Sequence, residues 1–158
     1  MERETTLGLA TLLSLLGAAV DDAVLRALDG TGLRRGHGYV VQRLLVGPAT
    51  ATQVAAELGV SQQAVSKVLK ELMALGHVEL VADDADRRSR PVRLTTRGRE
   101  AVHRARAVRA DIDARVAGEV GTDELAAAHA VLVAALDVLG IREQVERRTV
   151  APQDGRLG

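Results

Sequence analysis

Residues 50–75 carry two short apolar-periodic segments separated only by Gly59, Val60 and Ser61. Helices this short, joined this tightly, must cross sharply; they cannot lie as a long antiparallel pair. Thr50 with Gln53 three residues on has the spacing of a reciprocal N-terminal cap. Val54, Ala55 and Leu58 then make one apolar face, and Gly59 suits the left-handed residue that ends a helix. Ser61 can cap the second helix. There Val65, Val68, Leu69, Leu72 and Leu75 form the buried stripe, and Gly76 stops it.

The opposite face of that second helix holds Gln62, Gln63, Ser66, Lys67 and Lys70. Gln can pair with adenine in two places, Ser reaches several base edges, and Lys reaches guanine or phosphate. On this reading Gln62, Gln63, Ser66 and Lys67 face bases, while Ser61 and Lys70 hold phosphate. Any solvated amphipathic helix has such a face, so these side chains alone divide evenly between the two readings. The next segment of the chain decides between them. Residues 78–81 and 92–94 read as two short strands, with Val78, Leu80, Val92 and Leu94 facing inward at period two. Between them lies DDADRRSRP, residues 83–91, bearing Arg87, Arg88 and Arg90. Arginine enters a narrow, strongly negative minor groove, and three in four positions at a hairpin tip are poorly explained as a solvated charge run. The expected fold is mostly α (α+β), a winged helix-turn-helix that reads DNA.

The order of elements, and the D-x-R-x5-L-T spacing of Asp86, Arg88, Leu94 and Thr95 with Gly98 three residues on, resemble the multiple-antibiotic-resistance regulator (MarR) family. The resemblance covers residues 7–140. It implies a homodimeric transcription regulator, usually a repressor, that binds a palindromic operator and is often released by a small ligand. It further implies that Asp86 pairs with an arginine to shape the wing, and that Arg88 and Arg90 lie at or near the tip toward the minor groove. Pro91 departs from the family's returning strand: it can start an edge strand but donates no ladder hydrogen bond. In the family, terminal helices build the dimer and effector pockets lie close to the helix that His37 and Tyr39 begin here. These two are therefore candidate ligand contacts; on residue type alone, His37 is a surface or capping residue and Tyr39 belongs to the core.

The chain's 158 residues suit one domain, and with no Phe, no Trp and one Tyr its core must be Leu, Val and Ala. Net charge is zero, yet residues 61–110 hold 11 basic and 6 acidic side chains while both flanks are net acidic. A neutral chain with a basic reading segment fits a selective rather than an indiscriminate nucleic-acid binder. Without cysteine there is no disulfide, thiolate metal site or thiol switch. An enzyme is not expected: His37, His77, His103 and His129 fall on separate elements, and no phosphate loop, H-E-x-x-H or G-x-S-x-G occurs. The family's zinc-sensing histidines, a turn apart on the long helix, are replaced around His103 by Arg99 and Ala107. No metal or cofactor is expected. The alternative function is a winged-helix module for protein contact or architecture, since fold does not fix function; such a wing should expose apolar anchors rather than arginines.

The run LGLATLLSLLGAAV, residues 7–20, is too short to span a bilayer and lacks a positive leader before it, so a cytoplasmic location is expected. A helix so apolar on all sides needs partners beyond its own domain. Further helices are expected at about 37–46, from Thr95 or Thr96 to about 118, at 123–139 and at 141–148. The organisation expected is one domain over 1–148, with 7–28 and 97–148 for dimerisation and 33–96 for DNA binding. Residues 149–158 read as a disordered tail.

Overall fold

The computed structural model describes residues 7–81, 90–152 and 155–157. Seven helices and two strands occur among them: α1 (Leu9–Ala27), α2 (Arg35–Leu44), α3 (Ala51–Leu58), α4 (Gln62–Ala74), β1 (Val78–Leu80), β2 (Val92–Leu94), α5 (Thr96–Val120), α6 (Thr122–Val138) and α7 (Arg142–Arg147). The tight joint forms as its residues dictate. Thr50 Oγ1 accepts the Gln53 N–H at 3.2 Å, and Gln53 Oε1 accepts the Thr50 N–H at 2.9 Å. Gly59 closes α3 at φ 64°, a left-handed conformation that costs glycine nothing. Ser61 Oγ then takes the Ala64 N–H at 3.2 Å to start α4.

The inward faces of α2, α3, α4 and the two strands make one core, with Val40, Val54, Leu58, Val65, Val68 and Leu72 almost wholly buried. A smaller cluster, Val24, Leu28 and Ala101, fastens α1 to α5. Arg104 adds to it by donating to the Ala27 carbonyl, and Arg35 at the start of α2 pairs with Asp21 and Asp22 of α1. The core thus sits among α2, α3, α4 and the hairpin, here called the head, with a thinner seam beneath the long helices.

The strands pair antiparallel in the register Val78↔Leu94, Glu79↔Arg93 and Leu80↔Val92. Val92 also exchanges both backbone hydrogen bonds with Ala49, at 3.1 and 2.9 Å. Pro91 does not disturb this register, because only its carbonyl is used: it accepts the Val81 N–H at 2.9 Å. Two expectations need correction. Leu80 is exposed, not inward: β1 is the outer strand, and Leu80 lies toward the hairpin tip, past the helices that cover Val78. The tail, expected to be disordered, places Pro152 and Leu157 in buried positions, because Leu157 finds room in the core of the head.

Outside the head the helices are left with bare apolar faces. Leu12, Leu15 and Leu16 of α1 and Val131, Leu132 and Val138 of α6 are exposed, and α6 has no buried residue at all. No helix of the described residues is long and apolar enough to cross a membrane.

Candidate nucleic-acid interface and the cavity behind it

Because Val65, Val68, Leu69 and Leu72 turn inward, the helical period throws the polar residues of α4 outward. Ser61, Gln62, Gln63, Lys67 and Lys70 are exposed and Ser66 is half-buried. A shallow concavity runs past Ser61, Gln63, Ser66, Lys67 and Lys70 to Glu71. Five of the six residues expected to contact DNA from this helix therefore line one concavity, and Gln62 is exposed in the first turn of the helix. Beside it stands the hairpin. Arg93 Nε donates to Glu79 Oε1 at 2.8 Å across the paired strands, and Arg90 is exposed where the returning strand begins. Asp86, Arg87 and Arg88 lie outside the described residues.

Glu71 is the one acid lining that concavity, and it is neutralised from behind. His37 on α2 contacts Glu71 Oε2 through Nε2 at 2.9 Å, and Arg34 forms an ion pair with the same oxygen. The His37 bond, and then Arg34, hold the carboxyl below its usual range. His37 is 2% exposed; its Nδ1 accepts the Arg34 backbone N–H at 3.3 Å, which assigns the proton to Nε2. Burial pushes the imidazole pKa down, and the bond to Glu71 only partly offsets this. His37 thus both caps α2 and ties it to α4.

On the far side of this tie, between α1, α2 and α5, lies a cavity of about 610 Å³. Its volume is in the range of small-molecule sites. Val24, Leu25, Leu28, Val41 and Val102 give it apolar walls, and His37 and Tyr39 also line it, together with Arg34, Arg35, Arg106, Arg109 and Arg148. Tyr39 is half-buried and packs on the core as well. His77, 1% exposed, donates from Nε2 to the Thr31 carbonyl at 3.0 Å and leaves Nδ1 without a partner among the described residues. Sequence reasoning missed Arg34, Glu71 and His77, and the ring of arginines. The Arg34-Arg35 pair before a helix was the one visible signal; partners 34 to 46 residues away have none.

A family model described as the MarR family matches residues 31–89. The HTH-type transcriptional repressor Rv2887 of Mycobacterium tuberculosis is 35% identical over 109 residues, which are 68% of this chain and 78% of that protein. The chain belongs to the MarR family. Among solved structures, MarR family transcription regulator SP03579 is 28% identical with a TM-score of 0.64, over 84% of this chain and 85% of that one. The S. aureus MepR–DNA complex has the same fold at a TM-score of 0.66 and 18% identity, over 82% and 98% of the two chains. Apo MarR from E. coli matches at 0.62 and 21% identity, over 82% and 98%. The family's members are transcription regulators, and the winged-helix fold of this MarR-family chain is theirs.

Proposed function

We propose that this MarR-family regulator is a homodimeric repressor that reads a palindromic operator and is released by a small ligand. The observation that carries the reading is the single exposed face of α4. Gln62, Gln63, Ser66 and Lys67 take base edges there, and Ser61 and Lys70 take phosphate. Arg87, Arg88 and Arg90 of the wing enter the flanking minor grooves, with Asp86 shaping the loop that presents them. The bare apolar faces of α1, α5 and α6 support a second copy as their cover, since a monomer rarely leaves so much contiguous apolar surface in water. Residues 7–28 and 97–148 are then the dimerisation part and 33–96 the reading part.

The cavity supports the ligand step. Apolar walls and several arginines favour a small anion with an apolar body, and His37 and Tyr39 stand in contact reach of it. Two of the lining residues, Arg34 and His37, bond directly to Glu71 on α4. A ligand that draws either one away alters the seating of the recognition helix, which is the differential contact that a release mechanism requires.

Selection of bound sequences from a random duplex pool at near-physiological salt tests the reading. The expected result is an enriched palindrome with half-site centres about one DNA turn apart, roughly 34–36 Å. Weak, salt-sensitive binding with no enrichment would overturn it.

A further inference from the structure

His77 occupies a point where three segments of the chain meet. It lies between α4 and β1, and its backbone N–H donates to the Leu72 carbonyl at 2.9 Å. Its own carbonyl accepts the N–H of Thr95, the residue that caps α5, at 3.0 Å. A Cβ built on Gly98, in the first turn of α5, would overlap that same carbonyl. Helix α5 can therefore approach His77 because residue 98 has no side chain. The imidazole joins the third segment: its Nε2–H donates to the Thr31 carbonyl at 3.0 Å, in the turn between α1 and α2.

That turn is a firm receiver. Thr31 is buried, and its hydroxyl donates to the Leu28 carbonyl at 2.6 Å and accepts the Leu33 N–H at 3.2 Å. Gly32 beside it has φ 75°, and a Cβ there would overlap the side chain of Leu75, the C-cap of α4. The end of α1 that leads into the turn is fastened to α5 through Val24, Leu28 and Ala101. Helices α1 and α5 thus form a stem, and His77 is hydrogen-bonded both to the head and to the turn that leaves this stem. Packing alone would not select histidine here. His77 is 1% exposed, and its Nδ1 has no partner among the described residues. A buried acceptor left unpaired costs free energy, which a leucine would avoid. What imidazole supplies and an apolar side chain cannot is the Nε2–H to Thr31.

We propose that His77 is a positioning residue for DNA reading, a pivot that fixes the angle between the head and the α1–α5 stem and so the spacing of the two half-sites. The inference rests on the dimeric reading above, in which the stems join and each carries a head. One head reads one half-site whatever its angle to the stem. Two heads on one operator must present their α4 helices at a single separation, and the bond from His77 to Thr31 holds that separation. His77, Leu28, Gly98 and Ala101 also line the cavity, so a ligand there bears on the pivot.

The test uses the full chain as wild type, His77→Leu, His77→Gln and Gly32→Ala. Affinity is measured on the selected operator, on operators with one base pair added or removed between the half-sites, and on a single half-site. Wild type should favour one spacing. His77→Leu should lose about fivefold of the discrimination between that spacing and its neighbours, the equivalent of one hydrogen bond, while binding the single half-site as wild type does. Glutamine carries an N–H to nearly the place of imidazole Nε2, so His77→Gln should restore most of the discrimination. Gly32→Ala, strained at φ 75° and pressed against Leu75, should broaden the spacing profile from the other side of the joint. It decides the outcome if His77→Leu loses its helix content. Spacing profiles like that of wild type in His77→Leu and Gly32→Ala would overturn the pivot, as would a His77→Leu loss that is equal on the single half-site and on every spacing. A wild type that binds the single half-site as tightly as the full operator, with no preferred spacing, would instead defeat the dimeric reading, and the pivot with it.

Discussion

Acid should loosen the head through His37, with a sign and slope that the structure sets. The imidazole is 2% exposed, accepts the Arg34 N–H on Nδ1 at 3.3 Å, and contacts Glu71 through Nε2 at 2.9 Å. Protonation would put a hydrogen on Nδ1, abolish that acceptor, and place a cation beside the Arg34 guanidinium. Burial accordingly holds the folded-state pKa below the ordinary 6.5. A depressed histidine contributes stability above its unfolded pKa, and that contribution falls as pH drops from there through the folded pKa. One proton limits the slope to about 1.4 kcal/mol per pH unit. Glu71, also depressed, contributes in a separate window: its share is present above its ordinary 4.5 and is lost only as pH falls below that. Between pH 6.5 and 5 the wild type should therefore lose stability more steeply than His37→Gln. Urea unfolding at each pH, followed by far-UV circular dichroism because the chain has no Trp, measures the difference. Protein concentration must be held fixed, since the stability of the proposed dimer would depend on it. Equal slopes in the two proteins, or a wild type that gains stability on acidification, would refute the reasoning.

Arg90→Ala should weaken operator binding and reduce the slope of log affinity against log salt by about one unit, as removal of one phosphate-neutralising charge does; titration at four salt concentrations reads this. Leu16→Asp, at a position 60% exposed in the single chain, should leave helix content intact but shift sedimentation from dimer to monomer. An unchanged dimer would remove the α1 face from the interface. Thr50→Ala deletes the oxygen that receives the Gln53 N–H and should lower unfolding free energy by about 1 kcal/mol, measured by urea denaturation.

Helices α3 and α4 of the head were legible because their signals are local. Thr50 with Gln53, Gly59, and Ser61 each act within four residues, so the chain carries the caps in plain order. Val92 and Leu94 were legible from alternation, but Leu80, with the same pattern, was not inward, because alternation says which face a residue takes and not how far the helices reach. The Arg34–Glu71–His37 tie joins positions more than thirty residues apart. Charge alone does not select one glutamate among several as a partner. The tail misled for a related reason: Leu157 is an isolated apolar residue in a polar, Gly- and Pro-containing end, and only the shape of the α2–α4 core shows that it has somewhere to go. The apolar excess of α1 was readable as a need for partners, and its bare leucines in the single chain keep that need open.

If the exposed face of α4 reads bases, Gln63→Ala removes one base contact and leaves the phosphate contacts in place. Affinity of wild type and variant should be compared on the selected operator, on operators altered one position at a time, and on a scrambled duplex. The expected result is a loss of about 1–3 kcal/mol confined to one base position in each half-site, with scrambled-duplex binding nearly unchanged. Equal losses on every sequence would rule out base reading by Gln63 and make it a contributor to bulk attraction or to folding instead.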